Sequence, residues 1–289
     1  MNWATGIQST IDYIEEHITD ELDYNEIAKQ AMCSPYYFQK IFRILCGITV
    51  GEYIRNRRLT LAGRELTKTN VKVIDVALKY GYESPESFTR AFTRFHGISP
   101  SCAKCLGGKL RSFSRFKVQI ILKGGNFMNY KIVSKETFTV LEKVEQHTVA
   151  GDQDMNSIPD FWDRAHKDGT IETLLRYATD STYVFGICYG NVHTECEHFD
   201  YGIAVLCASD TIAPEGYRVN TIPARTWIVS ECIGAMPHAI QHLWHEICSE
   251  FFPTSDYQPT YELDIEAYPD GDMTADDYRS QIWIPIVNE

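Results

Sequence analysis

The chain is 289 residues long, with 44% hydrophobic and 23% charged residues and a formal net charge of −12. That composition excludes wholesale disorder, and the length predicts two domains. No apolar run approaches the ~18 residues of a membrane span. The first residues lack the basic stretch and apolar core of a signal peptide. The nine cysteines, odd in number and scattered, do not form a secreted disulfide framework. A cytoplasmic protein without membrane partners is expected.

Charge is unevenly divided. Residues 1–123 carry 18 Lys+Arg and 12 Asp+Glu, whereas residues 124–289 carry 9 and 27. A basic half that faces a polyanion, joined to an acidic half with another task, is the expected organisation. Gly107-Gly108 and Gly124-Gly125 bracket a basic, serine-containing stretch. The predicted division is therefore a first domain over 1–108, a linker over 109–127 and a second domain over 128–289, with 118–122 able to form a short strand.

Shifted by fifty residues, the basic half overlays itself. Ser34-Pro35-Tyr36-Tyr37-Phe38 meets Ser84-Pro85-Glu86-Ser87-Phe88, Lys40 meets Arg90, and Gly47-Ile48-Thr49 meets Gly97-Ile98-Ser99. Each copy has an apolar stripe at helical spacing: Phe38, Ile41, Phe42 and Leu45, then Phe88, Ala91, Phe92 and Phe95. Serine stands at the N-cap, proline at the first helical position and glycine at the stop. A shorter helix precedes each copy, at 26–31 and 73–78. Short helix, turn and capped second helix make a helix-turn-helix. One copy alone fits a plain helical bundle equally well; two matched copies in basic surroundings favour DNA binding.

The outward stripe of each second helix then selects the base-reading residues. These are Tyr36, Gln39, Lys40 and Arg43 in the first copy and Glu86, Ser87, Thr89, Arg90 and Thr93 in the second. Between the copies, 52–66 reads as a connecting helix whose Arg55, Arg57, Arg58 and Arg64 are candidate phosphate contacts. Glu52-Tyr53-Ile54-Arg55, Arg57-Arg58-Leu59, Gly81-Tyr82-Glu83-Ser84-Pro85 and Gly97-Ile98-Ser99-Pro100 resemble AraC/XylS-type transcription regulators over roughly 7–107. The resemblance implies an all-α domain with two helix-turn-helix motifs joined by a connecting helix. It also implies two adjacent major-groove contacts on double-stranded DNA, and because the two second helices differ in their outward residues the site is expected to be asymmetric. Activation through RNA polymerase is the expected outcome.

The acidic half alternates as strands at 130–133, 137–144, 184–189, 201–207, 225–232, 261–268 and 280–287. Helical material lies at 158–177. A clearer helix at 237–252 has Ile240, Leu243, Trp244, Ile247 and Phe251 on one face. An α+β domain with an antiparallel sheet follows. Met128-Asn129-Tyr130, Phe161-Trp162, Pro223-Ala224-Arg225-Thr226-Trp227, Ile265-Glu266-Ala267-Tyr268 and Ile282-Trp283-Ile284-Pro285 resemble the GyrI-like effector-binding domain of Rob-type regulators. That resemblance implies two βαββ-like halves around an aromatic cleft for a small aromatic or lipophilic effector, with Trp162, Tyr189, Tyr201, Trp227 and Trp283 as walls. The cleft-centre position, often glutamate in relatives, is Gln281.

By strand alternation Gln281 and Trp283 share one face and are expected to meet Trp227 and Trp162 in the same space. Glu262, Asp264 and Glu266 alternate on one strand face; three buried charges cost too much, so most of that face should meet solvent, with Glu266 the one candidate pocket group. His193-x-x-Cys196-x-His198 and Cys102-x-x-Cys105 lack the further ligands of a metal site, and no cofactor motif or nucleophile elbow is present. A ligand-gated transcription regulator that is not an enzyme is the reading. A hydrolase of a reactive small molecule and a ligand-independent regulator remain the alternatives.

Overall fold

Serine and glycine set the ends of the two repeated helices. In a computed structural model of the chain, which describes residues 3–106, 109–118, 128–148, 157–190 and 198–288, they are α3 (Pro35–Cys46) and α6 (Pro85–His96). Ser34 Oγ accepts from the Tyr37 amide at 3.2 Å, and Ser84 Oγ from the Ser87 amide at 3.1 Å. Gly47 and Gly97 end the helices in the left-handed region, at φ 70° and 81°. The remaining helices of this half are α1 (Trp3–Glu16), α2 (Tyr24–Gln30), α4 (Val50–Lys68), α5 (Val73–Lys79) and α7 (Pro100–Leu106). Thr49 and Glu52 form a reciprocal capping box at the start of α4.

Backbone contacts divide the chain into two units: Met1–Met32 with Ile48–Ile121, and Cys33–Gly47 with Leu122–Glu289. The second helix of the first repeat therefore groups with the acidic half. In the first unit, Leu59, Leu66, Val76, Phe88, Phe92 and Ala103 form the core of the second repeat. Gly81 begins its turn at φ 79°, in the left-handed region that favours glycine, and a Cβ there would lie 2.6 Å from Arg58 Nη1 and displace that guanidinium. The described part of the stretch expected to be a linker lies against α4. The Phe113 amide donates to Thr60 Oγ1 at 2.9 Å, and the Phe116 ring stacks on Tyr53.

Among the described residues, the second unit holds a nine-stranded antiparallel sheet. Its strands are β1 (Tyr130–Lys135), β2 (Phe138–Thr148), β3 (Asp180–Tyr189), β4 (His198–Leu206), β5 (Arg218–Ile222), β6 (Arg225–Ile233), β7 (Tyr257–Pro259), β8 (Leu263–Pro269) and β9 (Arg279–Asn288). The order is β1-β6-β9-β8-β3-β4-β2-β5, with β7 on β9. Helices α8 (Ser157–Lys167) and α9 (Thr170–Tyr177) connect β2 to β3, and α10 (His238–Glu246) with a π-helical turn at Ile247–Phe251 follows β6. Two βαββ-like halves, β2–β3–β4 and β6–β8–β9, thus meet where β3 pairs with β8. There Cys188 opposes Asp264 and Gly186 opposes Glu266.

One sheet face carries the core of Phe185, Ile187, Trp227, Leu263, Ile265 and Trp283. Tyr261 has φ 60°, so β8 starts at Leu263 rather than at 261 as expected. Helices α1 and α7 and strands β5 and β7 were not anticipated from sequence. Of the strand considered at 118–122, Val118 is not in a strand and the remainder lies outside the described residues. No helix among the described residues is long and apolar enough to cross a membrane.

The first unit is clamped by Arg57. Its Nε and Nη2 each donate to Glu15 at 2.7 Å, and Nη1 donates to the Phe113 carbonyl at 2.6 Å. Burial acts to raise the Glu15 carboxyl, but the hydrogen bonds from Arg57 and Tyr53 outweigh it and hold it below its ordinary value. Arg57→Ala should cost about 3 kcal/mol in denaturant unfolding by stranding that carboxylate. Because the Glu15 value is lowered on folding, its contribution should be full above the ordinary carboxylate range and be lost as the pH falls below that range through the lowered folded value, so the gap between wild type and variant should shrink in acid.

Candidate functional site

Helix α6 turns Phe88 and Phe92 fully inward and leaves Glu86, Arg90 and Thr93 exposed. Ser87 is half-buried, and its hydroxyl donates to the Ser84 carbonyl at 2.8 Å. The stripe read from sequence in the second copy is open. The arginines of α4 differ from expectation. Arg57 is 6% exposed and spends its donors on Glu15 and Phe113. Arg58 donates to the carbonyls of Ile18 and Asp20 at 2.8 and 2.7 Å. Burial and three internal hydrogen bonds take Arg57 away from the surface where a phosphate contact was expected, while half-buried Arg58 spends two of its three nitrogens on these carbonyls. Arg55 and Arg64 are exposed, and Arg64 reaches Ser112 Oγ at 3.2 Å.

The first copy departs further. Tyr36 and Gln39 are buried, and Lys40 and Arg43 are half-buried, although the spacing puts all four on the outward stripe of α3. The cause lies in the second unit. The Tyr36 ring stacks on Phe199 at 4.2 Å, and its hydroxyl is 2.6 Å from Cys188 Sγ. Tyr37 meets Tyr261 edge-on at 4.8 Å. Lys40 Nζ donates to both oxygens of Asp264, at 2.7 and 2.8 Å, and lies 4.1 Å from the centre of the Trp244 ring.

Asp264 is only 1% exposed, which overturns the expectation that it meets solvent. The lysine supplies the counter-charge that burial demands. Burial nevertheless leaves the Asp264 carboxyl above its ordinary value, with Lys40 only partly offsetting it. Burial also works against the Lys40 charge, but Asp264 outweighs it and holds the ammonium protonated above the usual lysine range.

Next to this pair, Glu266 is half-buried and accepts from Trp244 Nε1 at 2.8 Å and from the Tyr268 hydroxyl at 2.9 Å. Trp162 Nε1 donates to the Tyr201 hydroxyl at 3.0 Å, and the Trp162 ring meets Tyr268 edge-on at 5.4 Å. Trp162, Tyr201 and Glu266 therefore assemble as expected, on the face of the β3–β8 junction that Asp264 shares. Trp244 and Tyr268 belong with them. Sequence reading assigned Trp244 only to an apolar helix face; the available signal was that a buried indole N–H needs an acceptor.

The other four candidates lie on the opposite face. Trp227 and Trp283 are 6.2 Å apart in the core, and Gln281 accepts from Trp283 Nε1 at 2.8 Å and donates to the Tyr183 hydroxyl at 3.3 Å. Tyr189 donates to the buried carboxylate of Glu142 at 2.7 Å, which Arg218 also holds. Trp162 thus does not share a space with Gln281 and Trp283. Register decides this: Gln281 pairs with Ala267, the neighbour of Glu266, and successive residues face opposite sides.

A groove of about 550 Å³ lined by Ile132, Arg225, Tyr257, Glu262 and Ile286 holds none of the candidates, and Arg225 and Glu262 pair across it at 2.7 Å. Cys102 and Cys105 are free thiols. His193 and Cys196 lie outside the described residues; among those described, no three His, Cys, Asp or Glu side chains are grouped to hold a metal.

Comparison with known proteins supplies two profile matches: an integron-associated effector binding protein family over residues 131–286, and a helix-turn-helix domain over residues 27–104. Over 95 residues, 33% of this chain, the sequence is 41% identical to the HTH-type transcriptional activator AarP of Providencia stuartii, covering 70% of that protein. It is 42% identical to the regulatory protein SoxS of Salmonella typhimurium, again over 33% of this chain, covering 89% of that protein. The solved structure of SAV2435 bound to tetraphenylphosphonium aligns with 55% of this chain and 94% of its own, at 25% identity and a TM-score of 0.49.

Gly186 makes room for the aromatic cluster, since a Cβ there would lie 2.0 Å from the Tyr201 hydroxyl and 3.4 Å from Trp162. Gly186→Ala should displace Tyr201, break its hydrogen bond with Trp162 and lower stability by about 1–3 kcal/mol. Denaturant unfolding followed by tryptophan emission measures both effects.

Proposed function

As a member of the integron-associated effector-binding family that also carries an AraC-type helix-turn-helix domain, the chain is a DNA-binding regulator with a ligand-binding domain, and we propose the following division of labour. Helices α3 and α6 read two adjacent major-groove segments of an asymmetric site. The second unit senses a small aromatic or lipophilic effector held against Trp162, Tyr201 and Tyr268 beside Glu266. The outcome is activation through RNA polymerase. The observation that carries this reading is the coexistence of an open reading stripe on α6 with a half-buried carboxylate among aromatic rings. Aromatic faces supply area for a ligand's rings, and a fixed carboxylate orients its polar end.

Binding is favoured over hydrolysis by the state of Glu266. Both its oxygens already accept hydrogen bonds, from Trp244 and Tyr268, and this suits an orienting group better than a base that takes a proton from water.

Arg90→Ala should lose ~1–3 kcal/mol on a duplex recovered by selection and relax preference at one base pair, while random DNA changes little. Fluorescence anisotropy with both duplexes measures this, and equal losses on the two would remove Arg90 from base reading. Footprinting should give two unlike half-contacts about one helical turn apart. A perfect palindrome bound only by a dimer would contradict the arrangement. On the effector side, Trp162→Ala should weaken small aromatic ligands in tryptophan-quenching titrations, whereas Trp227→Ala, on the opposite face, should act on stability instead.

A further inference from the structure

We propose that the sheet face around Asp264 is a binding site for an organic ammonium group, that Lys40 of α3 is its built-in occupant, and that an amine-bearing effector taking its place releases the first reading helix for DNA. This rests on the reading above that α3 reads DNA and that the second unit binds a small molecule.

Three groups converge on the Lys40 ammonium. Asp264 holds it through both oxygens at 2.7 and 2.8 Å, the Trp244 ring lies under it at 4.1 Å, and Glu266 is fixed beside it by Trp244 and Tyr268. A carboxylate, a second carboxylate and an indole face together recognise an alkylammonium. The junction of the two sheet halves puts this site on the central strands, where Asp264 opposes Cys188.

Lys40 is also a residue of the base-reading stripe, and one ammonium cannot grip both Asp264 and a base edge. Tyr36, one helical turn earlier, is engaged in the same way through Phe199 and Cys188. The second copy makes the contrast. Its matching residues are Glu86 and Arg90, both exposed, and a glutamate has neither the ring for Phe199 nor the hydroxyl for Cys188.

The energetics suit exchange. A buried ion pair returns little more than its desolvation cost, so an amine with an aromatic body, which buries additional apolar area, can replace a lysine that ties down a helix. Effector and DNA then both require α3 to leave the sheet. Each must favour the other by the same factor, because the coupling is reciprocal.

The test uses the full chain. A duplex is selected with the Asp264→Asn variant, and its affinity for both proteins is measured by anisotropy. The variant should bind about tenfold or more tightly than wild type, since a docked helix lowers apparent affinity by the fraction that is free. The probe 2-phenylethylammonium chloride should raise wild-type affinity toward that of the variant and leave the variant unchanged, while uncharged 2-phenylethanol should do neither. Equal affinity of the folded variant and wild type would overturn the proposal, as would an amine that binds without altering DNA affinity.

Trp244→Leu provides a second variant that keeps both charges and should act in the same direction. Cys188 gives a reading that needs no DNA, because Tyr36 covers its thiol and it is 4% exposed. Its labelling by N-ethylmaleimide, followed by mass spectrometry, should speed up in either variant; unchanged labelling in both would show that α3 stays docked without the ion pair. Failure to enrich any duplex would count against DNA reading, whereas the labelling result still decides the role of Lys40.

Discussion

A carboxylate buried on a central strand must be matched by a cation, and the arrangement of the second unit follows from that requirement. Asp264 stands on β8 at the seam between the two sheet halves, 1% exposed, and the ammonium of Lys40 reaches it across 224 residues of sequence. The same contact brings Tyr36 against Phe199 and Cys188 and puts Trp244 under the lysine. Trp244 in turn donates to Glu266, so the helix face, both carboxylates and the aromatic cluster form one connected set. Desolvation of two charges offsets most of their attraction, and such a pair contributes more to arrangement than to net stability.

The first unit has a buried ion pair of a different kind. Arg57 engages Glu15 through two nitrogens and a backbone carbonyl through the third, a planar fork with each of its nitrogens engaged. Tyr53 adds a further hydrogen bond to the same carboxylate at 2.8 Å. That geometry fixes the connecting helix against α1 and the residues after α7. Lys40 instead reaches its carboxylate from a flexible stem, with hydrogen bonds to Asp264 through one nitrogen. The chain thus uses guanidinium on the connecting helix and ammonium on α3.

Strand alternation also sorts the aromatic residues. Trp227 and Trp283 fill the core on one side of the sheet, with Gln281 satisfied between Trp283 and Tyr183. Trp162, Tyr201, Tyr268 and Trp244 gather on the other side with the carboxylates. Gly186 permits this second cluster, since any side chain there would occupy the space of the Tyr201 hydroxyl.

Local chemistry was legible in the chain itself. The fifty-residue repeat, the serine caps, the glycine stops and the period-two strands depend on neighbours within a few residues, so the two helix-turn-helix motifs and most of the longer strands could be read directly. Other pieces escaped: β5 and β7 have only 5 and 3 residues, too few to set a pattern, and α1, of 14 residues, and α7 lie outside the repeated helix pairs. What only the tertiary structure decided was which side chains face one another. Nothing near Asp264 in sequence signals a lysine from α3, nothing near Arg57 signals Glu15, and alternation alone does not say which face of a strand is covered. Periodicity is a property of adjacent residues, whereas the neutralisation of a buried charge depends on whatever distant segment the fold brings to it.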